Sequence, residues 1–266
     1  VAHGSAGKTS LAEALLFDAG VTTRRGSVEN GNTVSDYTTE EQKRQISIST
    51  SLLNYDYKGK KVFVLDVPGY ADFIGDLRSS LRVAGSAVMV VSAVDGIEVQ
   101  TEKAWEFAQE FETSTIFFIN KMDRENADYN GVYEQIRANL TKGAYRFMLP
   151  IGSEDSFKGV VDVLKDIAYV YSDDSGKFEE QGIPEDMISD AHRARGYLVE
   201  AIVEEDEEMM MRYLDGEDIP IDELLPVLQR CIYKCKIFPV MPGSALKNIG
   251  VRQLMDLIVD YLPSPL

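Results

Sequence analysis

Two hydrophobic spacings alternate along this chain. Ala87-Val88-Met89-Val90-Val91-Ser92-Ala93-Val94 and Thr115-Ile116-Phe117-Phe118-Ile119 are the unbroken apolar runs of strands buried on both faces, and Phe238-Pro239-Val240-Met241 is a weaker strand. Helical spacing appears in Leu11-Ala12-Glu13-Ala14-Leu15-Leu16 and again at Val251, Leu254, Met255, Ile258 and Val259, which predict an amphipathic helix over 251–261. Period-two alternation in Ile46-Ser47-Ile48-Ser49-Thr50 continues through Tyr55 and Tyr57; a turn at Lys58-Gly59-Lys60 then leads into Lys61-Val62-Phe63-Val64-Leu65, so this pair reads as a hairpin. The whole predicts an α/β architecture: a mostly parallel sheet with helices on both faces.

Two stretches depart from that rhythm. The polar, glycine-bearing segment 22–45 is too long for an ordinary connection and reads as a functional loop. Residues 124–237 carry a helix signal over 129–140, strand signals over 157–164 and 167–171, and a longer helical stretch over 186–213. They read as an inserted α+β subdomain, leaving 1–123 and 238–262 as the main domain and 263–266 as the start of a linker.

Charge narrows the partners. A formal net charge of -17 over 266 residues argues against general electrostatic attraction to nucleic acid, so any RNA contact has to be local. Part of the acidic excess sits in Glu204-Glu205-Asp206-Glu207-Glu208, read as a solvated helix face or loop. No apolar run is long enough to span a bilayer and the start lacks a signal-peptide pattern, so a cytoplasmic monomer without membrane contact is expected. Cys231 and Cys235 make no disulfide framework, and no further metal ligand lies nearby in sequence; they read as semi-buried thiols.

The chemistry begins at Ala2-His3-Gly4-Ser5-Ala6-Gly7-Lys8-Thr9-Ser10, just ahead of the first helix. Gly7 permits the backbone turn that aims successive N–H groups at an anion where a helix N-terminus adds partial positive charge. Lys8 would reach the β- and γ-phosphates and the Thr9 hydroxyl would ligate Mg²⁺. The pattern G-x-x-x-x-G-K-[ST] is missed at Ala2, and with Val1 directly before it, the strand that should end at the cradle is largely missing. Asp66-Val67-Pro68-Gly69 closes the hairpin: Asp66 can hold Mg²⁺ through a water, and the Gly69 N–H can sense a γ-phosphate. Asn120-Lys121-Met122-Asp123 follows a buried strand and suits guanine. The Asp123 carboxylate accepts from N1–H and the exocyclic amine, Asn120 ties the loop to the base, and the Lys121 stem covers its face. Gly243-Ser244-Ala245, with Leu246 beside it, can offer backbone N–H groups to the guanine O6. The four motifs in this order specify a P-loop NTPase fold that takes GTP or GDP, and they exclude a P-loop ATPase or small-molecule kinase.

At this point the chain resembles the nucleotide-binding domain of elongation factor G, a translational GTPase, over essentially all 266 residues. Phe157-Lys158-Gly159-Val160-Val161-Asp162 and Gly243-Ser244-Ala245-Leu246-Lys247-Asn248-Ile249-Gly250-Val251 are particularly similar to segments of that family, and the insertion resembles its G′ subdomain. The resemblance implies that 22–47 is switch I, with Ser47 in the family's threonine position on Mg²⁺, and that 66–77 is switch II. It also implies a ribosomal partner; Arg24, Arg25, Lys43, Arg44, Arg78 and Arg82, near the switches, read by default as scattered solvated charges, with a local RNA-facing patch as the alternative.

Departures from the family cluster around the hydrolytic water. Tyr70 stands where the family has a histidine, Gly4 where it has a branched aliphatic that gates the water opposite Ile46, Ser5 where it has an aspartate, and Gln45 where it has a glycine. The set is similar to the elongation factor G-like paralogues. A phenol hydrogen-bonds but supplies no imidazolium near neutral pH. Three expectations therefore stand side by side. The chain is a GTPase in which Lys8, Mg²⁺ and the Gly69 N–H stabilise developing charge and Tyr70 sets the rate. Or it is a GTP-dependent ribosome- or partner-binding module with negligible hydrolysis. Or it belongs to a ribosome-protection-type factor.

Overall fold

The computed structural model describes residues 1–264. The cradle runs directly into α1 (Lys8–Asp18), and the long polar segment after it contains a short helix, α2 (Thr39–Arg44). A capping box starts α2: the Thr38 hydroxyl accepts from the Glu41 N–H, and the Glu41 carboxylate accepts from the Thr38 N–H. β1 (Ser51–Tyr57) and β2 (Lys60–Asp66) form the expected antiparallel hairpin, with Tyr57 opposite Lys60 across the turn. Its first strand starts only at Ser51, because the Ile48 and Ser49 N–H groups donate to the Glu41 carboxylate (3.0 and 3.3 Å) instead of to a neighbouring strand.

α3 (Ile74–Val83), β3 (Ser86–Ser92), α4 (Val99–Glu110) and β4 (Ser114–Asn120) follow in strict alternation. α5 (Tyr129–Gln135) continues as a π-helical turn through Leu140 and leads to β5 (Ala144–Arg146). Four short strands, β6 (Met148–Ile151), β7 (Gly159–Asp162), β8 (Ile167–Tyr171) and β9 (Phe178–Gln181), make an antiparallel meander. Three helices, α6 (Ile188–Val203), α7 (Glu207–Leu214) and α8 (Ile221–Tyr233), precede β10 (Phe238–Pro242) and the final α9 (Val251–Tyr261).

The main sheet has the order β3-β4-β10-β5 and is parallel throughout, flanked by helices: α1 packs on α9, α3 on α4, and α8 on both β4 and α9. β4 and β10 are buried at every position, the burial their unbroken apolar runs require. Val1 adds a further rung on β3: its N and O atoms bond the Val88 carbonyl (2.8 Å) and the Val90 N–H (2.9 Å).

Two features of the 124–237 segment differ from the sequence reading. β5 is an edge strand of the main sheet, so the separate antiparallel sheet begins only at Met148. The helical stretch expected over 186–213 breaks between α6 and α7, where the Asp206 side chain caps α7 by accepting from the Met209 N–H (3.2 Å). Glu207 and Glu208 of the acidic run fall in the first turn of α7, where the helix dipole favours negative charge. Pro265 and Leu266 of the expected linker lie outside the described residues.

Candidate functional site

The motifs, two of them after the main-sheet strands β4 and β10 and one after β2, converge on one cavity of about 750 Å³. Gly4, Ser5, Gly7, Lys8, Thr9, Ser10, Ser47, Gly69, Tyr70, Asn120, Lys121, Asp123, Ala245 and Leu246 line it. Ala6, Asp66 and Ser244 are buried.

The cradle takes its shape from alternating handedness. Ser5 (φ 64°) and Gly7 (φ 94°) are both left-handed, and Gly7 is the N-cap of α1. A Cβ on Gly7 would run into the Asn120 amide, so glycine is required by both angle and space. Asn120 in turn donates to the Ala6 carbonyl and accepts from the Ala245 N–H, both at 2.9 Å. One buried amide thus joins the cradle to the loop after β10, and it occupies the Ala245 N–H that the sequence reading offered to O6.

Lys8 folds back to donate to the His3 carbonyl at 2.9 Å. Burial pulls its pKa down to about 8, against the pull of the Asp66 and Asp36 carboxylates. Thr9 donates to Asp66 at 3.0 Å and lies 3.3 Å from the Ser47 hydroxyl, which donates to Asp36 at 2.7 Å. Burial, opposed by the Ser47 bond, raises the Asp36 carboxyl above its ordinary range. Asp36 is the residue that motif reading missed. Its signal is faint: a serine and an aspartate (Ser35-Asp36) shortly before the T-x-x-E capping box at Thr38.

Tyr70 and Gly4 are in contact. A Cβ on Gly4 would stand 3.1 Å from the Tyr70 ring carbon bearing the hydroxyl and 3.2 Å from its neighbour. The ring therefore covers the cradle where a branched side chain at position 4 would collide with it, and the two departures form one packing unit. Gly69 passes equally close to the cradle, since a Cβ there would run into the Lys8 ammonium and the His3 carbonyl.

At the opposite end, the side chain of Asp123 is only 5% exposed, and its charged partner is the Arg124 guanidinium 3.9 Å away. Its acceptor capacity is open toward the cavity that it lines. Lys121 (φ 66°) extends to Asp95 at 3.3 Å.

The long loop between α1 and β1 is pinned by buried carboxylates. Glu13 of α1, 2% exposed, accepts from the Gly26 N–H (2.7 Å) and the Val34 N–H (2.5 Å), while Glu41 holds the return to β1. Of the basic residues grouped as a surface patch, Arg44 pairs with Glu40, Arg78 pairs with Glu110 at 2.5 Å, and Arg82 stacks on Phe111. Arg25 bonds backbone carbonyls.

Among the described residues, no group of three or more His, Cys, Asp and Glu side chains could hold a metal ion, and no helix is long and apolar enough to cross a membrane. The cluster at Thr9 differs from such groups in kind, because half of its donors are hydroxyls. Cys231 is buried in α8, and Cys235, past the end of that helix, donates to the Glu112 carbonyl at 3.3 Å.

Residues 1–264 match the family described as the elongation factor Tu GTP binding domain. The crystal structure of a protein from Thermus thermophilus is similar over 100% of this chain, with a TM-score of 0.93 and 35% sequence identity. The chain spans 40% of that longer protein. The parallel sheet and the family match agree, and the chain belongs to the elongation factor Tu GTP binding domain family as a GTP-binding domain of elongation-factor type.

Proposed function

We propose that this chain is the Mg²⁺-dependent, GTP-hydrolysing switch domain of an elongation factor G-like translation factor that acts on the ribosome in the cytoplasm. The supporting observation is the meeting of Thr9, Ser47, Asp36 and Asp66, from three separate stretches, through contacts of 2.7–3.3 Å beside Lys8. Two buried carboxylates and two hydroxyls against one lysine leave a net negative pocket of hard oxygen donors, which fits Mg²⁺. Thr9 and Ser47 would hold the ion directly and Asp66 through a water. When bound, it would neutralise charge developing on the transferred phosphoryl group.

The chain's own groups do the remainder. The backbone of Ser5 to Ser10 cradles the phosphates, and Lys8 exchanges the His3 carbonyl for a phosphate oxygen. The Gly69 N–H stabilises the γ-phosphate oxygens as charge builds. Asp123 reads the guanine edge, Lys121 covers its face, and the loop Ser244-Ala245-Leu246 closes over it. Loss of the γ-phosphate frees 22–47 and 66–77 together, because Ser47, Thr9 and Asp66 are one network. The antiparallel sheet and the helices α6 to α8 make up a G′-like insertion in this reading.

Tyr70 favours a second reading, a GTP-dependent ribosome- or partner-binding module with negligible turnover. Its ring, 41% exposed and seated on Gly4, covers the cradle where the resemblance expects an imidazole. Single-turnover GTP cleavage with and without ribosomes separates the two. The GTPase reading expects ribosomes to accelerate cleavage by the natural sequence. No acceleration, together with its recovery in Tyr70→His, establishes the binding module instead.

A further inference from the structure

Arg25 stands in the polar loop after α1, where sequence alone groups it with surface cations. The structure gives it other work. Its guanidinium donates to the carbonyls of Ala245 (3.2 Å) and Leu246 (2.6 Å) through Nη1, and to the Asp174 carbonyl (3.0 Å) through Nη2. Its central carbon lies 5.9 Å from the centroid of the Phe17 ring, at the end of α1. One side chain thus joins the loop between α1 and β1, the turn between β8 and β9, and the loop after β10.

The two carbonyls matter because of what shares their peptide planes. The Ala245 C=O and the Leu246 N–H belong to one planar trans unit, so holding the oxygen fixes the direction of the hydrogen. The N–H groups on either side of Leu246 are spent: Ser244 on the Ile249 carbonyl (2.9 Å), Ala245 on Asn120 (2.9 Å) and Lys247 on the Ser244 hydroxyl (3.0 Å). Among the described residues, the Leu246 N–H takes no partner, and Leu246 lines the cavity together with Arg25. A planar, fully charged guanidinium suits this task, since its Nη1 holds two neighbouring carbonyls while its Nη2 anchors them to the Asp174 turn.

We propose that Arg25 is a positioning residue for base recognition. It orients the Leu246 N–H toward the 6-oxo group of guanine, and it makes that orientation depend on the state of the 22–47 loop. The inference rests on the guanine-nucleotide reading of the cavity. When 22–47 rearranges, the clasp opens and the base-side loop loses its brace, so nucleotide release follows the switch.

The test compares GDP with 6-thioguanosine diphosphate, which keeps N1–H and the 2-amine and replaces the 6-oxygen with a weakly accepting sulfur. Dissociation constants and GDP dissociation rates are measured for the natural chain, Arg25→Ala, Arg25→Lys and, as a neighbouring cation control, Arg24→Ala. Loss of a charged clasp on two carbonyls should speed GDP release by about tenfold. Affinity for the 6-thio analogue should change less than twofold, Arg25→Lys should fall between, and Arg24→Ala should match the natural chain. GDP release unchanged in Arg25→Ala overturns the inference. So does an equal loss of both nucleotides, which means a general structural role. If the natural chain binds no guanine nucleotide at all, the reading of the cavity fails first and takes the clasp with it.

Discussion

In the proposed reading, the base end of the cavity is held by Asn120, whose amide bonds the Ala6 carbonyl and the Ala245 N–H, both at 2.9 Å, in a 3% exposed position. The phosphate end is held by Lys8, whose ammonium finds one backbone carbonyl at 2.9 Å while Asp36 and Asp66 stand buried nearby. The first arrangement is neutral, satisfied and braced on both sides. The second concentrates charge in a dry place, and burial already weakens the lysine's hold on its proton. The contrast teaches how one cavity serves two demands. Selectivity needs a scaffold that does not adapt, whereas a switch needs groups whose best partners arrive with the ligand.

The strongest way to break the comparison is at Asp123. Its carboxylate accepts, and an amide in its place reverses half of that demand, so Asp123→Asn should move preference from GTP to XTP by about a thousandfold. Competition binding with the two triphosphates reads this, and an unchanged preference removes guanine recognition from the base end. Next comes the joint between the two ends. Gly7→Ala forces a side chain into a left-handed position against the Asn120 amide. It should cost about 2–3 kcal/mol of stability and disturb phosphate and base binding together. A denaturant melt beside a nucleotide titration checks it, and the joint is refuted if phosphate binding alone changes.

A pH series sharpens the phosphate side. Lys8 is lowered from 10.5 to about 8, so between those values the unfolded chain carries a proton that the ligand-free fold lacks. Stability of the ligand-free protein should therefore gain from this group as pH rises through that window. Nucleotide affinity runs the opposite way: the ammonium that phosphate needs is lost above about 8, and affinity should fall by up to about tenfold per pH unit there. Calorimetric titration of GDP between pH 7 and 10 decides; a flat profile means that Lys8 is not the titrating contact.

The smallest effect expected is at the lid. Gly4→Val pushes on the Tyr70 ring, and Tyr70→Ala removes the ring that it pushes on. A double-mutant cycle on thermal stability should show a coupling of about 1 kcal/mol between them. Additive effects would mean that the ring leaves its seat readily and that the two departures are independent.

Much of the base end was legible in the residue order, because Asn120, Asp123 and Ser244 follow strands whose apolar runs announce themselves. β4 extends from Ser114 to Asn120 and α9 from Val251 to Tyr261, close to what hydrophobic spacing alone predicts. The phosphate end was legible only in its named motifs. Asp36 and Glu13 gave no such notice, since a carboxylate in a polar loop or on a helix reads as solvated until the partners that bury it are known. Some short strands escaped for a related reason, although β7 and β8 fall in the strand signals over 157–164 and 167–171. β5 spans three residues and belongs to the main sheet only because β10 offers it an edge.

The sequence by itself determined the alternation of strand and helix, the order of the four motifs and the chemistry that each can perform. These depend on local periodicity and on residue type, which the chain carries wherever it goes. The tertiary structure decided which of those residues touch. It brought Ser47 to Thr9, laid Tyr70 on Gly4, closed Arg25 over Ala245 and Leu246, and turned a scatter of surface-like charges into buried braces. Contacts between residues tens to hundreds of positions apart follow from the packing of sheet and helices, and no local pattern encodes which side chain that packing will leave without water.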